Sequence, residues 1–100
     1  MTTPVLFRRL ARTEFDEASD WYERRQPGRG ATFTTAVRRV LARIAASPDS
    51  FPEAHPDVRE ALVTGYPYVV YFQISPDRVN VVAVYHTSRD PSAWQSRVEP

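Results

Sequence analysis

The chain has 100 residues, with 42% hydrophobic and 12% aromatic content, no cysteine, two histidines and a formal charge of +1. That is enough for one domain with one modest core, residues 1–100, and too apolar for a disordered chain. It excludes disulfide and thiol chemistry, leaves too few ligands for a classical zinc site, and contains no apolar run long enough to span a bilayer. The N-terminal residues lack the cationic and apolar blocks of a secretory signal, so a cytoplasmic location is expected. Every basic residue is Arg, nine of them within residues 1–43 against five acids there. Arg suits planar recognition of phosphate or carboxylate, but a GC-rich genome produces the same bias.

Val5 and Phe7 alternate with Leu6 and Arg8, which predicts a strand over about residues 4–10. Thr13 precedes an acidic turn, Glu14, Asp16 and Glu17, and reads as the N-cap of a helix from Glu14 to Arg25. Phe15, Ala18 and Tyr22 form its apolar stripe. Trp21 lies beside Tyr22, so both cannot point inward, and one of them is available to a partner. Gln26 to Gly30 breaks the helix. A second helix is expected from about Ala31 to Ala46, with Phe33, Val37, Val40, Leu41 and Ile44 inward and Arg38, Arg39 and Arg43 outward. Two helices with so short a connection make an antiparallel hairpin.

Pro48 stops the second helix, and the Pro-containing segment to Pro56 reads as an irregular connection. Three strands follow, Val58–Val63, Tyr68–Ile74 and Val79–Tyr85, joined by Thr64-Gly65 and Ser75-Pro76-Asp77. Alternation puts Tyr68, Val70, Phe72 and Ile74 toward the helices, with Tyr71 on the open face. Asp90-Pro91 reads as the cap and first residue of a short last helix carrying Trp94. The expected fold is α+β: an N-terminal strand, an antiparallel helical hairpin on a small, mostly antiparallel sheet in the order β-α-α-β-β-β, and a short C-terminal helix.

The order and spacing of several short pieces resemble the RelE/ParE-type toxins of bacterial type II toxin–antitoxin systems, nearer the ParE, or plasmid stabilisation, branch. The pieces are Glu17-Ala18 to Trp21-Tyr22, Pro27-Gly28-Arg29-Gly30 with Phe33, Arg43-Ile44 with Pro48, Phe51-Pro52, Val58-Arg59, Tyr66 to Tyr71, and Tyr85-His86 to Arg89-Asp90-Pro91 with Trp94. The resemblance implies a toxin held inactive by a cognate antitoxin that covers a groove, with DNA reached only indirectly through that complex. It implies no membrane partner and no cofactor or metal.

ParE-like members inhibit DNA gyrase without catalysis; RelE-like members are metal-independent endoribonucleases that cut mRNA on the ribosome. The strand position of a catalytic Arg in the latter falls here at Tyr68 to Tyr71, where no Arg stands. Gyrase inhibition is therefore the leading expectation. Ribosome-dependent cleavage by Arg59, His86 and Arg89 is the alternative, and a non-toxic interaction module of the same fold is a third. Target binding is assigned to Arg59, Tyr71, His86, Arg89 and Trp94, and antitoxin binding to Trp21, Tyr22, Arg38 and Arg39. Plainer roles compete with these. Arg38 and Arg39 suit a solvated helix face, Arg89 an ion pair with Asp90 or Glu60, and His86 a backbone hydrogen bond at a strand end.

Overall fold

The computed structural model describes residues 3–99. Five strands form one sheet in the order β1-β5-β4-β3-β2. They are β1 Val5–Phe7, β2 Glu53–His55, β3 Val58–Leu62, β4 Tyr68–Ile74 and β5 Val79–His86. Only β1 runs parallel to its neighbour; the other pairs are antiparallel. Helices α1 (Arg9–Arg25) and α2 (Arg29–Ala46) form the hairpin, and a single-turn helix α3 (Ser92–Gln95) follows the sheet. The expected α+β architecture is the observed one.

The boundaries differ in instructive ways. Strand β1 ends at Phe7, and α1 begins at Arg9, a full turn before Thr13. Ala11 is buried and extends the stripe of Phe15 and Ala18 backward, so packing on the sheet carries the helix through the expected cap. The second helix starts at Arg29 because Gly28 supplies a left-handed residue, φ 93°, at its N-cap. The Glu23 carboxylate accepts the Gly28 and Gly30 amides at 3.0 Å, so α1 caps the first turn of α2. Gly30 also lies where a Cβ would come within 2.9 Å of the Ser19 carbonyl, which lets the two helices approach closely.

Residues 53–55 pair with β3 where an irregular connection was expected. Proline at both flanks hides the strand from pattern reading, but proline is tolerated at a sheet edge. Turn residue Asp57, at φ 63°, joins β2 to β3.

The main core lies between hairpin and sheet. Phe15, Phe33, Val37 and Ile44 meet Ala61, Val70, Phe72, Val81 and Val84 there. Phe33 stands at the centre of an aromatic group, with Phe15, Tyr22, Tyr66 and Tyr68 at centroid distances of 5.0 to 6.2 Å.

The other face of the sheet is not open as expected. Trp94 stacks on Tyr71 at 4.0 Å, and with Val58, Ala83 and Tyr85 it forms a second core. Val98 packs against that cluster. The Asp90 carboxylate accepts the Ser92 amide at 2.9 Å and closes the turn that presents Trp94. That bond holds the Asp90 carboxyl below its usual range. The Tyr85 hydroxyl donates to the Asp90 carbonyl at 2.6 Å, tying α3 to β5.

A β-bulge interrupts the β4–β5 ladder. Phe72 faces Val81 while Tyr71 faces Ala83, so Val82 is the extra residue. The bulge lets Val81 and Val84 both enter the main core, three positions apart, while Ala83 and Tyr85 enter the second.

Candidate functional site

Helix α1 crosses β5 and leaves a groove of about 720 Å³ between its second half and the end of the sheet. One helical face supplies Glu14, Glu17, Ala18, Trp21 and Arg25, at i, i+3, i+4, i+7 and i+11. The sheet supplies Pro67, Tyr68, Val84 and His86, the turn after β5 supplies Arg89, and α2 supplies Arg29.

The floor is aromatic and anchored. Tyr22 turns inward, 5.0 Å from Phe33 and 6.4 Å from Tyr68. Trp21 turns outward and is 44% exposed, with the Arg25 guanidinium 4.3 Å from its ring. The adjacency of Trp21 and Tyr22 is resolved in this way. Burial raises the Tyr22 phenol pKa, as it does that of Tyr68, where Arg89 opposes the rise. Both phenols stay protonated at neutral pH and can donate hydrogen bonds.

His86 sits 5.2 Å from the Tyr68 ring. Its Nδ1 accepts the Ser88 amide at 3.0 Å, so the neutral ring carries its proton on Nε2. Arg89 lies over the Tyr85 ring at 4.3 Å and reaches Glu14 at 3.8 Å, not Asp90 or Glu60.

Glu14 is the most connected charge in the groove. Its Oε1 accepts the Val84 amide at 3.1 Å, and both its oxygens pair with Arg97, at 3.0 and 2.7 Å. The pair is largely shielded, with the Glu14 side chain 13% and that of Arg97 18% exposed. With Glu14 neutralised by Arg97, the rim carries Arg25, Arg29 and Arg89 against Glu17.

The sequence-assigned residues separate into four places. Trp21, Tyr22, His86 and Arg89 line the one groove, so two residues assigned to antitoxin and two assigned to target share it. Tyr71 and Trp94 are packed against each other on the opposite face, and Trp94 is 1% exposed. Trp94 therefore presents no side-chain surface to a target, because α3 folds it inward. Burial, with help from Glu60, raises the Tyr71 pKa.

Arg59 lies apart from both sites. It lines a smaller depression with Asp49, Glu53 and Asp57, and donates to the Phe51 carbonyl. Arg38 and Arg39 are exposed on α2 and do not line the groove. Glu14, Arg25, Arg29 and Tyr68 were missed as site residues. The helical spacing of Glu14, Glu17, Trp21 and Arg25 was the available signal.

Among the described residues, no group of three His, Asp or Glu side chains is placed to hold a metal ion. No described helix is long and apolar enough to cross a membrane.

Residues 5–91 match the sequence pattern of the family described as the ParE toxin of the type II toxin–antitoxin system, parDE. Among solved structures, the chain resembles one described as the chromosomal ParDE TA system from P. aeruginosa, with a TM-score of 0.76. The likeness covers 87% of this chain and 98% of that one at 13% identity, and so bears on the fold. No curated protein matches the chain. With the family pattern spanning nearly its whole length, this chain belongs to the ParE toxin family of type II toxin–antitoxin systems.

Proposed function

We propose that the chain is a non-catalytic toxin of the bacterial cytoplasm that inhibits DNA gyrase and is neutralised by a cognate antitoxin seated in the α1–β5 groove. The observation that carries this reading is the gathering of Trp21, Tyr22, His86 and Arg89 in one groove. An exposed Trp beside half-buried tyrosines and an arginine is the composition of an interface hot spot. The rim of three arginines against Glu17 favours a partner segment with an apolar face and acidic side chains. An antitoxin in this groove would cover His86 and Arg89, the residues left to engage a target.

The ribonuclease alternative needs Arg59, His86 and Arg89 to converge on one phosphate. Arg59 instead lines a different depression and is engaged by the Phe51 carbonyl. This separation favours a binding surface over a cleaving one.

Purified chain added to gyrase, ATP and relaxed plasmid should block supercoiling or leave broken DNA, and antitoxin should restore supercoiling. The same chain in a translating extract should leave mRNA intact. Cut message with normal supercoiling would overturn the gyrase assignment. Substitution of Trp21 by alanine should weaken antitoxin binding by about 2 kcal/mol. Unchanged affinity, read by calorimetry, would remove Trp21 from that interface.

A further inference from the structure

Beyond Phe7, no strand among the described residues lies along the outer edge of β5, the edge away from β4. The pairing of β1 ends at Phe7 opposite Val81, where the Arg8 amide bonds the Val81 carbonyl before the chain turns into α1. The Thr87 amide donates to the Pro67 carbonyl, which fixes the phase of the β4–β5 ladder. By alternation, Tyr85 and Ala83 bond toward β4, and the backbone groups of Val84 and His86 face the outer edge.

Two side chains stand where a neighbouring strand would be. Glu14 accepts the Val84 amide at 3.1 Å, and Arg97 donates to the Val82 carbonyl at 3.1 Å. Between them run the two Arg97–Glu14 bonds, so the pair presents one acceptor and one donor to β5, as a strand does. Arg97 reaches this edge from the segment after α3, which Trp94 fixes to the opposite face. The next two groups along the edge, the Val84 carbonyl and the His86 amide, have no such stand-in among the described residues. They adjoin the groove, which both residues line.

We infer that the outer edge of β5, from Val82 to His86, is a strand-addition site for an extended segment of the antitoxin, and that the Glu14–Arg97 pair is its built-in competitor. This rests on the antitoxin reading above and adds the mode of binding. The chemistry fits an extended peptide. Backbone amides and carbonyls at strand spacing recognise another backbone, and a segment leaving the groove meets this edge without a break. The incoming strand takes the Val84 carbonyl and the His86 amide first. Extending to the Val84 amide and the Val82 carbonyl, it displaces Glu14 and Arg97. An acidic side chain on that strand then replaces Glu14 beside Arg89.

The test uses the full chain, isotope-labelled, free and bound to full-length cognate antitoxin. In the complex the His86 amide should exchange at least about tenfold more slowly, as expected for an amide entering a ladder. The Arg97→Met variant should bind antitoxin more tightly than the parent, because the competitor is gone. A stable complex with an unchanged His86 amide overturns the strand-addition site and leaves the antitoxin reading standing. A folded Arg97→Met chain that binds no tighter overturns the competitor role. If that variant does not fold, the exchange measurement on the parent chain decides. Failure to form any complex overturns both readings.

Discussion

Replacement of Phe33 by alanine is expected to cost about 3–5 kcal/mol, the range for emptying a buried aromatic site. Phe33 is fully buried and touches the hairpin and the sheet at once. Its ring meets Phe15 on α1, Tyr22 at the groove, Tyr66 in the turn before β4 and Tyr68 at the start of that strand. Such aromatic pairs add about 0.5–1.5 kcal/mol each beyond area burial, so the upper half of the range applies. Urea unfolding should show a lower midpoint with an unchanged slope. A loss below about 1 kcal/mol would mean that the neighbouring rings refill the site.

The effect should reach the groove. Tyr22 and Tyr68 both rest on Phe33, so its removal should let the floor move and weaken antitoxin binding. Substitution by leucine, which keeps most of the volume, should recover both stability and binding.

Replacement of Trp94 by alanine should cost a similar amount, nearer about 3 kcal/mol. Its burial and its stack on Tyr71 hold the C-terminal segment against Val58, Ala83 and Tyr85. The lower figure has a cause. The indole Nε1–H is buried and makes no well-formed hydrogen bond among the described residues, its contact with Tyr71 being a ring stack, and a poorly met buried donor costs about 1–3 kcal/mol. Trp94→Phe should therefore be close to neutral in stability, and it should keep full inhibition of the target. A Trp94→Phe chain that is stable but inactive would return Trp94 to the target surface.

The sequence shows the helices and the three main strands because each lays a long apolar pattern on one core. Phe33, Val37, Val40 and Ile44 repeat at helical spacing, and Val70 and Phe72 alternate. The features that escaped depend on contacts between distant residues. Nothing local in Glu53-Ala54-His55 announces a strand; it exists because β3 offers an edge. The bulge at Val82 cannot be read from an unbroken run of Val, Ala and Tyr, since either phase of alternation is apolar. The Glu14–Arg97 pair joins residues 83 positions apart, and Glu14 reads locally as a first-turn acid. The site was half legible for the same reason. Trp21, Tyr22, His86 and Arg89 come with distinctive neighbours, whereas Tyr71 looks exposed until α3 folds over it.

The claim that one groove serves both partners is tested most directly by competition. Gyrase carrying bound chain would be titrated with antitoxin, and the species would be separated by size with all three proteins tracked. The account predicts displacement: gyrase free of chain, a chain–antitoxin complex, and no particle holding all three. A stable ternary complex in which contact with gyrase still protects His86 and Arg89 from labelling would contradict it, because antitoxin and target would then occupy different surfaces.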